Sequence, residues 1–335
     1  MKKLVYLLAF SIALVSCKEK QKDYVTFSGK ITNKNSETVT ISNPQFKFNK
    51  VIKVGEDGTF KDTMNVKDGF YRFFDGKEYT ALYLKNGADI NMTIDAKKFD
   101  ETITYTGVGF EESAFLAKAS LEQKKLFEDK ELMNLPELDF RSKVSNFVDD
   151  FNKRFEGASL DSTFVASQKQ SIAGLENYLT KMYNDKQYIT KKLAKGAESP
   201  KFVNYENNAG GTTSLDDLKG KYVYIDLWAT WCQPCKNEIP FLKKVEEKYH
   251  NKNIEFVSIS VDRQKDYETW KKMIVDKELS GVQLYAKEDK AFMDAYRVSG
   301  IPRFILLDPE GKIIDSNAPR PSNPKLVELF ESLNI

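Results

Sequence analysis

Cysteine and histidine are nearly missing from this chain of 335 residues, which holds three of the former and one of the latter. Three cysteines cannot build the dense disulfide framework that staples small exported domains. Two of them, Cys232 and Cys235, stand two residues apart and cannot tie distant segments together. Tetrahedral zinc needs two ligands beyond such a pair, and His250 alone leaves the set short. Covalent haem attachment requires histidine directly after the second cysteine, where Lys236 stands. An iron–sulfur cluster fails on ligand count. A surplus of one charge is lacking too: 51 basic and 49 acidic side chains give a formal charge of +2, with no basic stripe to meet phosphates. Metal, cofactor and nucleic acid are therefore not expected.

Long apolar runs are equally scarce. Leu4 to Val15, behind Lys2 and Lys3, is too short to span a bilayer comfortably and has the form of an export signal. It ends in Leu14-Val15-Ser16-Cys17, which resembles a bacterial lipobox. The resemblance implies a signal peptide over residues 1–16 and a lipid on Cys17. It also implies a tether over 17–23 and a chain anchored to a membrane of the cell envelope, facing the periplasm or the cell surface. Cleavage there removes two lysines and no acids, which leaves a formally neutral chain.

With 41% hydrophobic residues and 13% aromatics, the remainder can bury substantial cores, and its length suits two or three of them. Residues 24–107 alternate apolar and polar side chains in short runs (Val25 to Phe27, Val39 to Ile41, Ile90 to Ile94) between turn signals at Asp57-Gly58, Asp75-Gly76 and Asn86-Gly87. That pattern predicts an antiparallel β-domain, a sandwich or barrel-like unit. The period then changes. Phe140, Val144, Phe147, Val148, Phe151 and Phe155 share one helical face, and Leu175, Tyr178, Leu179, Met182 and Tyr183 form a second stripe, so residues 108–195 read as a helical middle segment. From 196 to 335 strands and helices alternate. Strands are expected at Tyr222 to Trp228, Ile254 to Val261, Arg303 to Leu307 and Lys312 to Asp315. Helices are expected at Glu238 to Tyr249, Asp266 to Asp276 and after Asn323-Pro324. In the helix Glu238 to Tyr249 the inward residues are expected to be Ile239, Leu242, Val245 and Tyr249. The whole is a multidomain α+β chain ending in a mixed sheet with helices on both faces.

Chemistry concentrates in Asp226-Leu-Trp-Ala-Thr-Trp-Cys232-Gln-Pro-Cys235, where a buried strand gives way to a helix. A helix N-terminus presents unpaired N–H groups and partial positive charge, which stabilise a thiolate, the attacking form of cysteine. A second thiol one turn on can attack the mixed disulfide and release the substrate, the minimum apparatus for dithiol–disulfide exchange. Asp226 lies in an apolar strand, where burial raises a carboxyl pKa. Peroxidase chemistry would want threonine three residues before the first cysteine, where Ala229 stands.

Pro200-Lys-Phe202, Leu218-Lys-Gly220-Lys221, Trp228 to Cys235, Asn237-Glu238-Ile-Pro240 and Gly300-Ile-Pro302 fall in the order of the TlpA/ResA-type thioredoxin-like proteins, which this part of the chain resembles. The resemblance implies a thioredoxin-like α/β domain in which Cys232 attacks, Cys235 resolves and Asp226 moves a proton to or from the second cysteine. It further implies that Ile301 and a cis Pro302 hold an extended client, that Glu238 is an active-site acid and that Trp231 forms the rim. Expected partners are disulfide-containing envelope proteins and a membrane thiol donor of electrons, with reduction as the direction. Gln233 and Arg303 depart from common family residues and leave potential and client open, so a DsbA-like oxidase or isomerase stands as an alternative. The β-rich part resembles the DUF4369-type domain that precedes thioredoxin domains in some Bacteroidetes lipoproteins, which keeps open a role as an envelope binding protein.

Overall fold

The computed structural model describes residues 22–333 and residue 335, so the lipobox and Cys17 lie outside the described residues. Backbone contacts divide the chain into two compact units, one up to Leu179 and the other Thr180–Ile335.

In the first unit, alternating sequences make eight strands: β1 (Val25–Thr32), β2 (Thr38–Asn43), β3 (Phe48–Lys53), β4 (Thr59–Met64), β5 (Gly69–Phe74), β6 (Tyr79–Leu84), β7 (Asp89–Asp95) and β8 (Thr104–Val108), with a short helix α1 (Phe99–Thr102) before β8. They form two four-stranded sheets, ordered β4-β1-β7-β8 and β3-β2-β5-β6. The expectation of a purely antiparallel unit needs correction, because β1 and β7 run parallel, Phe27 opposite Ile90. The long excursion through the second sheet between them permits it, since parallel neighbours need only a long crossover. Gly29 makes that pairing close: a Cβ there would lie 2.2 Å from the Met92 carbonyl oxygen and 2.6 Å from the Phe60 ring. Phe27, Phe60 and Phe73 fill the core, with ring centroids 5.5 to 6.2 Å apart.

Three longer helices follow: α2 (Glu111–Glu128), α3 (Glu137–Lys153) and α4 (Ser162–Lys192), the last running from one unit into the next. The expected stripe on α3 buries Phe140, Val144 and Phe151. Phe155 falls beyond the last turn yet still packs on Phe115 and Phe151, at 5.0 and 5.8 Å. The stripe on α4 is narrower than the sequence pattern indicates: Leu179 and Tyr183 are buried, whereas Tyr178 and Met182 are exposed. Tyr178 and Met182 each precede a buried residue by one position, which turns them about 100° off that face.

The second unit holds β9 (Tyr205–Asn207), β10 (Thr212–Thr213), β11 (Tyr222–Trp228), α5 (Gln233–Tyr249), β12 (Ile254–Ser260), α6 (Tyr267–Asp276), β13 (Val282–Tyr285), α7 (Ala291–Ala295), β14 (Arg303–Leu307), β15 (Ile313–Asp315) and α8 (Lys325–Ser332). The sheet order is β10-β9-β13-β12-β11-β14-β15. β11, β12 and β13 are parallel and β14 is antiparallel to β11, so the sheet is mixed. Period two along β11 sends Val223, Ile225 and Leu227 to one core with Phe292 and Tyr296, and Tyr224 to the opposite core with Leu242, Val245 and Phe330. Asp226 and Trp228 share the parity of Tyr224 and therefore lie on the face that α5 covers. β11 lies between β12 and β14, and the chain emerges from its carboxyl end directly into the cysteine pair.

Candidate active site

Cys232 is the N-cap of α5, with extended backbone at φ −82° and ψ 97°, and its sulfur accepts the backbone N–H of Cys235 at 3.2 Å. Pro234 sits in the first turn, where its missing N–H costs no hydrogen bond, and that turn carries no acid. A thiolate at Cys232 would thus face unpaired donors and the positive end of a 17-residue helix. The two cysteines are joined in a disulfide with Cα atoms 5.3 Å apart. Both are equally covered, 4% exposed. They rest on Trp228, Trp270, Ile274 and Tyr285, an apolar bed.

Ile301 and Pro302 are brought to the pair from the start of β14, joined by a cis peptide, with the Ile301 carbonyl oxygen 3.8 Å from Cys232 Sγ. Trp231 is 61% exposed beside them. Trp231, Val261, Met293, Val298 and Ile301 furnish the apolar lining of a surface cleft of about 1080 Å³, with Arg263, Glu288, Asp289, Lys290 and Asp294 around it. Arg303, the residue after the Gly-Ile-Pro, is half-buried and donates to the Ser316 carbonyl at 3.2 Å.

Asp226 is buried, and burial lifts its pKa from the ordinary carboxylate value to about 8, with the negative fields of Glu238 and Glu246 adding to the shift. Its Oδ1 has no hydrogen-bond partner among the described residues. Glu238 is not a solvated helix acid: it is 8% exposed, and its two oxygens accept the backbone N–H and hydroxyl of Ser322, each at 3.0 Å.

Asp262, which the sequence reading passed over, governs the loop before the cysteines. It is fully buried, accepts the Thr230 N–H at 3.0 and 3.1 Å and the Thr230 hydroxyl at 2.8 Å, and takes a further bond from Ser260 at 2.8 Å. Its signal was an acid just past the carboxyl end of β12, beside the carboxyl end of β11, where sites gather in α/β sheets. Glu246, also passed over, is buried on the inner face of α5. Among the described residues no group of three His, Cys, Asp or Glu side chains is placed to hold a metal ion.

Comparison with known proteins finds relatives of the C-terminal part of the chain. The Redoxin profile matches residues 194–329. Thiol-disulfide oxidoreductase ResA of Bacillus subtilis is 32% identical over 126 residues, covering 37% of this chain and 67% of that protein. ResA of Bacillus anthracis is 31% identical, covering 37% of this chain and 70% of its own. A solved thioredoxin domain of a thiol-disulfide oxidoreductase from Bacteroides vulgatus is 32% identical, spans 42% of this chain and 97% of its own, and superposes with a TM-score of 0.38. The chain belongs to the ResA family of thiol-disulfide oxidoreductases. It is an oxidoreductase whose C-terminal region is thioredoxin-like.

Proposed function

We propose that this enzyme reduces disulfides in exported proteins of the cell envelope through its Cys-Gln-Pro-Cys pair. Cys232 attacks the client disulfide, Cys235 resolves the mixed disulfide, and Asp226 exchanges the proton that Cys235 must lose or regain. The client chain lies along Ile301-Pro302 and against Trp231, and Glu238 supports the site through its field on Asp226. The observation that carries the reading is the position of Cys232: at a helix N-terminus, beside a main-chain carbonyl and an exposed indole that open onto a cleft of about 1080 Å³.

Equilibration of the full chain in glutathione buffers tests the direction. A potential near thioredoxin's, about −270 mV, makes the protein a reductant, whereas a value near about −120 mV makes it a DsbA-like oxidant. A membrane thiol donor would then return the enzyme to the dithiol form.

The chain is further read as a lipoprotein, with residues 1–16 removed, Cys17 lipidated, and a DUF4369-type β-domain over 24–107 and a helical segment over 108–195 ahead of the redox domain at 196–335. Among the described residues no helix is long and apolar enough to cross a membrane. Labelled fatty acid fed to producing cells should enter the native protein and not Cys17→Ala. Equal labelling of both would refute the anchor.

A further inference from the structure

The proton that Asp226 takes up has no direct way out. Asp226 is 8% exposed and sits between β12 and β14 on the covered face of the sheet. Beside it lies a small, partly enclosed cavity with about 10 Å³ of room for the centre of a water molecule, enough for one water. Asp226, Glu246, Ser258, Ser280 and Gln283 supply its polar lining, together with Lys243. Three residues of that lining carry a polar atom with no hydrogen-bond partner among the described residues, Asp226 Oδ1, Trp228 Nε1 and Gln283 Oε1, and all three side chains are more than nine-tenths buried. A water needs two to four polar partners to be held in such a place, and these groups supply them.

Lys243, Glu246 and Ser280 also line a second space, a surface cleft of about 790 Å³ between the second half of α5 and the starts of β12 and β13. Of these three, Lys243 is occupied elsewhere: its ammonium donates to the Lys277 carbonyl at 3.0 Å and lies 3.4 Å from Glu278. Glu246 is the acid that borders both spaces, and its carboxyl is fixed by a hydrogen bond from the Ser280 hydroxyl.

We propose that Glu246 is the proton exit of this active site, linked to Asp226 by a single water held between Asp226, Gln283 and Glu246. The inference rests on the reading that Asp226 takes the proton of Cys235. In the resolving step the Cys235–Cys232 bond forms, the Cys232–client bond breaks, and the client sulfur leaves with the electron pair. The Cys235 proton then resides on Asp226. To take that proton Asp226 must first be a carboxylate, and it becomes one by giving its own proton to the water while the water gives one to the Glu246 carboxylate, which returns it to solvent through the surface cleft. No electrons move in this relay.

Burial pushes the Glu246 carboxyl up from its ordinary range while the Ser280 hydroxyl and the Lys243 charge hold it back, which suits a group that must both take and release a proton. The charged groups around Asp226 are Glu238 and Glu246, which act on it directly, and Lys243 across the same cavity, all on α5. β12 and β13 present neutral Ser258 and Gln283.

The test is single-turnover oxidation of the reduced full chain by a fluorescent disulfide peptide, followed by stopped flow at pH 7. Glu246→Gln keeps the shape and the Ser280 partner. It should slow the resolving step about tenfold, less than the 10²-fold expected for losing a direct base, and leave the first attack unchanged. In an Asp226→Asn background the same substitution should cost nothing more, because both residues serve one route. Gln283→Leu removes a partner of the water from a different element and should slow resolution in the same way. In mixtures of H2O and D2O the native resolving rate should fall along a curve, with several protons in flight, and that of Glu246→Gln along a line. Native rates in both single variants, or a Glu246→Gln defect that persists undiminished in Asp226→Asn, would overturn the route. A native rate in Asp226→Asn itself would instead refute the role of Asp226.

Discussion

Replacement of Cys235 by serine will cause the protein to accumulate as covalent mixed disulfides with its clients, while Cys232→Ser will trap few and its turnover will fall to background. The asymmetry does not come from exposure, since the two residues are equally exposed, at 4%. It comes from what surrounds each of them. Cys232 caps α5, accepts the N–H of Cys235 and adjoins the Ile301 carbonyl and the exposed Trp231. A client sulfur entering from the cleft meets Cys232 first, and the electron pair on its thiolate is stabilised by the free N–H groups of the first helical turn. Cys235 lies within that turn, placed to attack Cys232 once the client is attached. With Cys235→Ser the mixed disulfide has no internal thiol to break it and persists until an external thiol intervenes. Non-reducing gels of cell extracts, with the trapped adducts released by dithiothreitol, give the result. Strong trapping in Cys232→Ser with none in Cys235→Ser would reverse the two roles.

The strand that leads to this pair was readable because its signal is local. Tyr222 to Trp228 is an apolar run broken only by Asp226 and closed by a turn, and β11 has those same bounds. Arg303 to Leu307 was equally plain. The helix after the cysteines was expected only from Glu238 and begins at Gln233. Pro234 and the polar residues around it carry no apolar period, and a first turn is defined by capping rather than by packing.

The inner face of α5 was misjudged for a related reason. Ile239 is only half-buried, whereas Glu238 and Glu246 are buried with Leu242, Val245 and Tyr249 at helical spacing. A hydropathy pattern assigns glutamate to solvent, so an inward acid becomes visible only when its partners, Ser322 and Ser280, are in place. Asp262 was hidden likewise, because its worth lies in Thr230, 32 residues away in sequence. The parallel pairing of β1 with β7 is a non-local choice that no local pattern encodes. What sequence conveys poorly here is the company that buried polar groups keep, and the candidate site consists largely of such groups.

Asp226→Asn should slow resolution by Cys235 on the order of 10²-fold, the low end for loss of a general base, and should stabilise the protein as it does so. With its pKa near 8 in the disulfide form, Asp226 is mostly protonated at pH 7. In that state it can give a proton to Cys235 when a donor thiol attacks Cys232 and expels the second sulfur. In the opposite direction Asp226 must start as a carboxylate, so the native resolving rate should climb as pH rises toward 8 and then level off. The asparagine variant, which can neither take nor give that proton, should lose the inflection at 8 and leave the first attack by Cys232 nearly unchanged. Stability follows from the same shift. An unfolded aspartate has a pKa of about 3.9, so between about 4 and 8 the native state binds the proton that the unfolded chain releases, and native stability falls as pH rises through that window. Below it the aspartic acid and the asparagine are both neutral and the two proteins should melt alike. Above pH 8 the native protein holds an unpaired buried carboxylate beside two other acids, and the advantage of the variant should reach its plateau of several kcal/mol. Stopped-flow exchange and thermal melts of both proteins from pH 5 to 9 measure the two effects together. A resolving rate equal to native across that range would remove Asp226 from the proton path, and a variant less stable at pH 9 than the native chain would mean that its carboxylate has a partner after all.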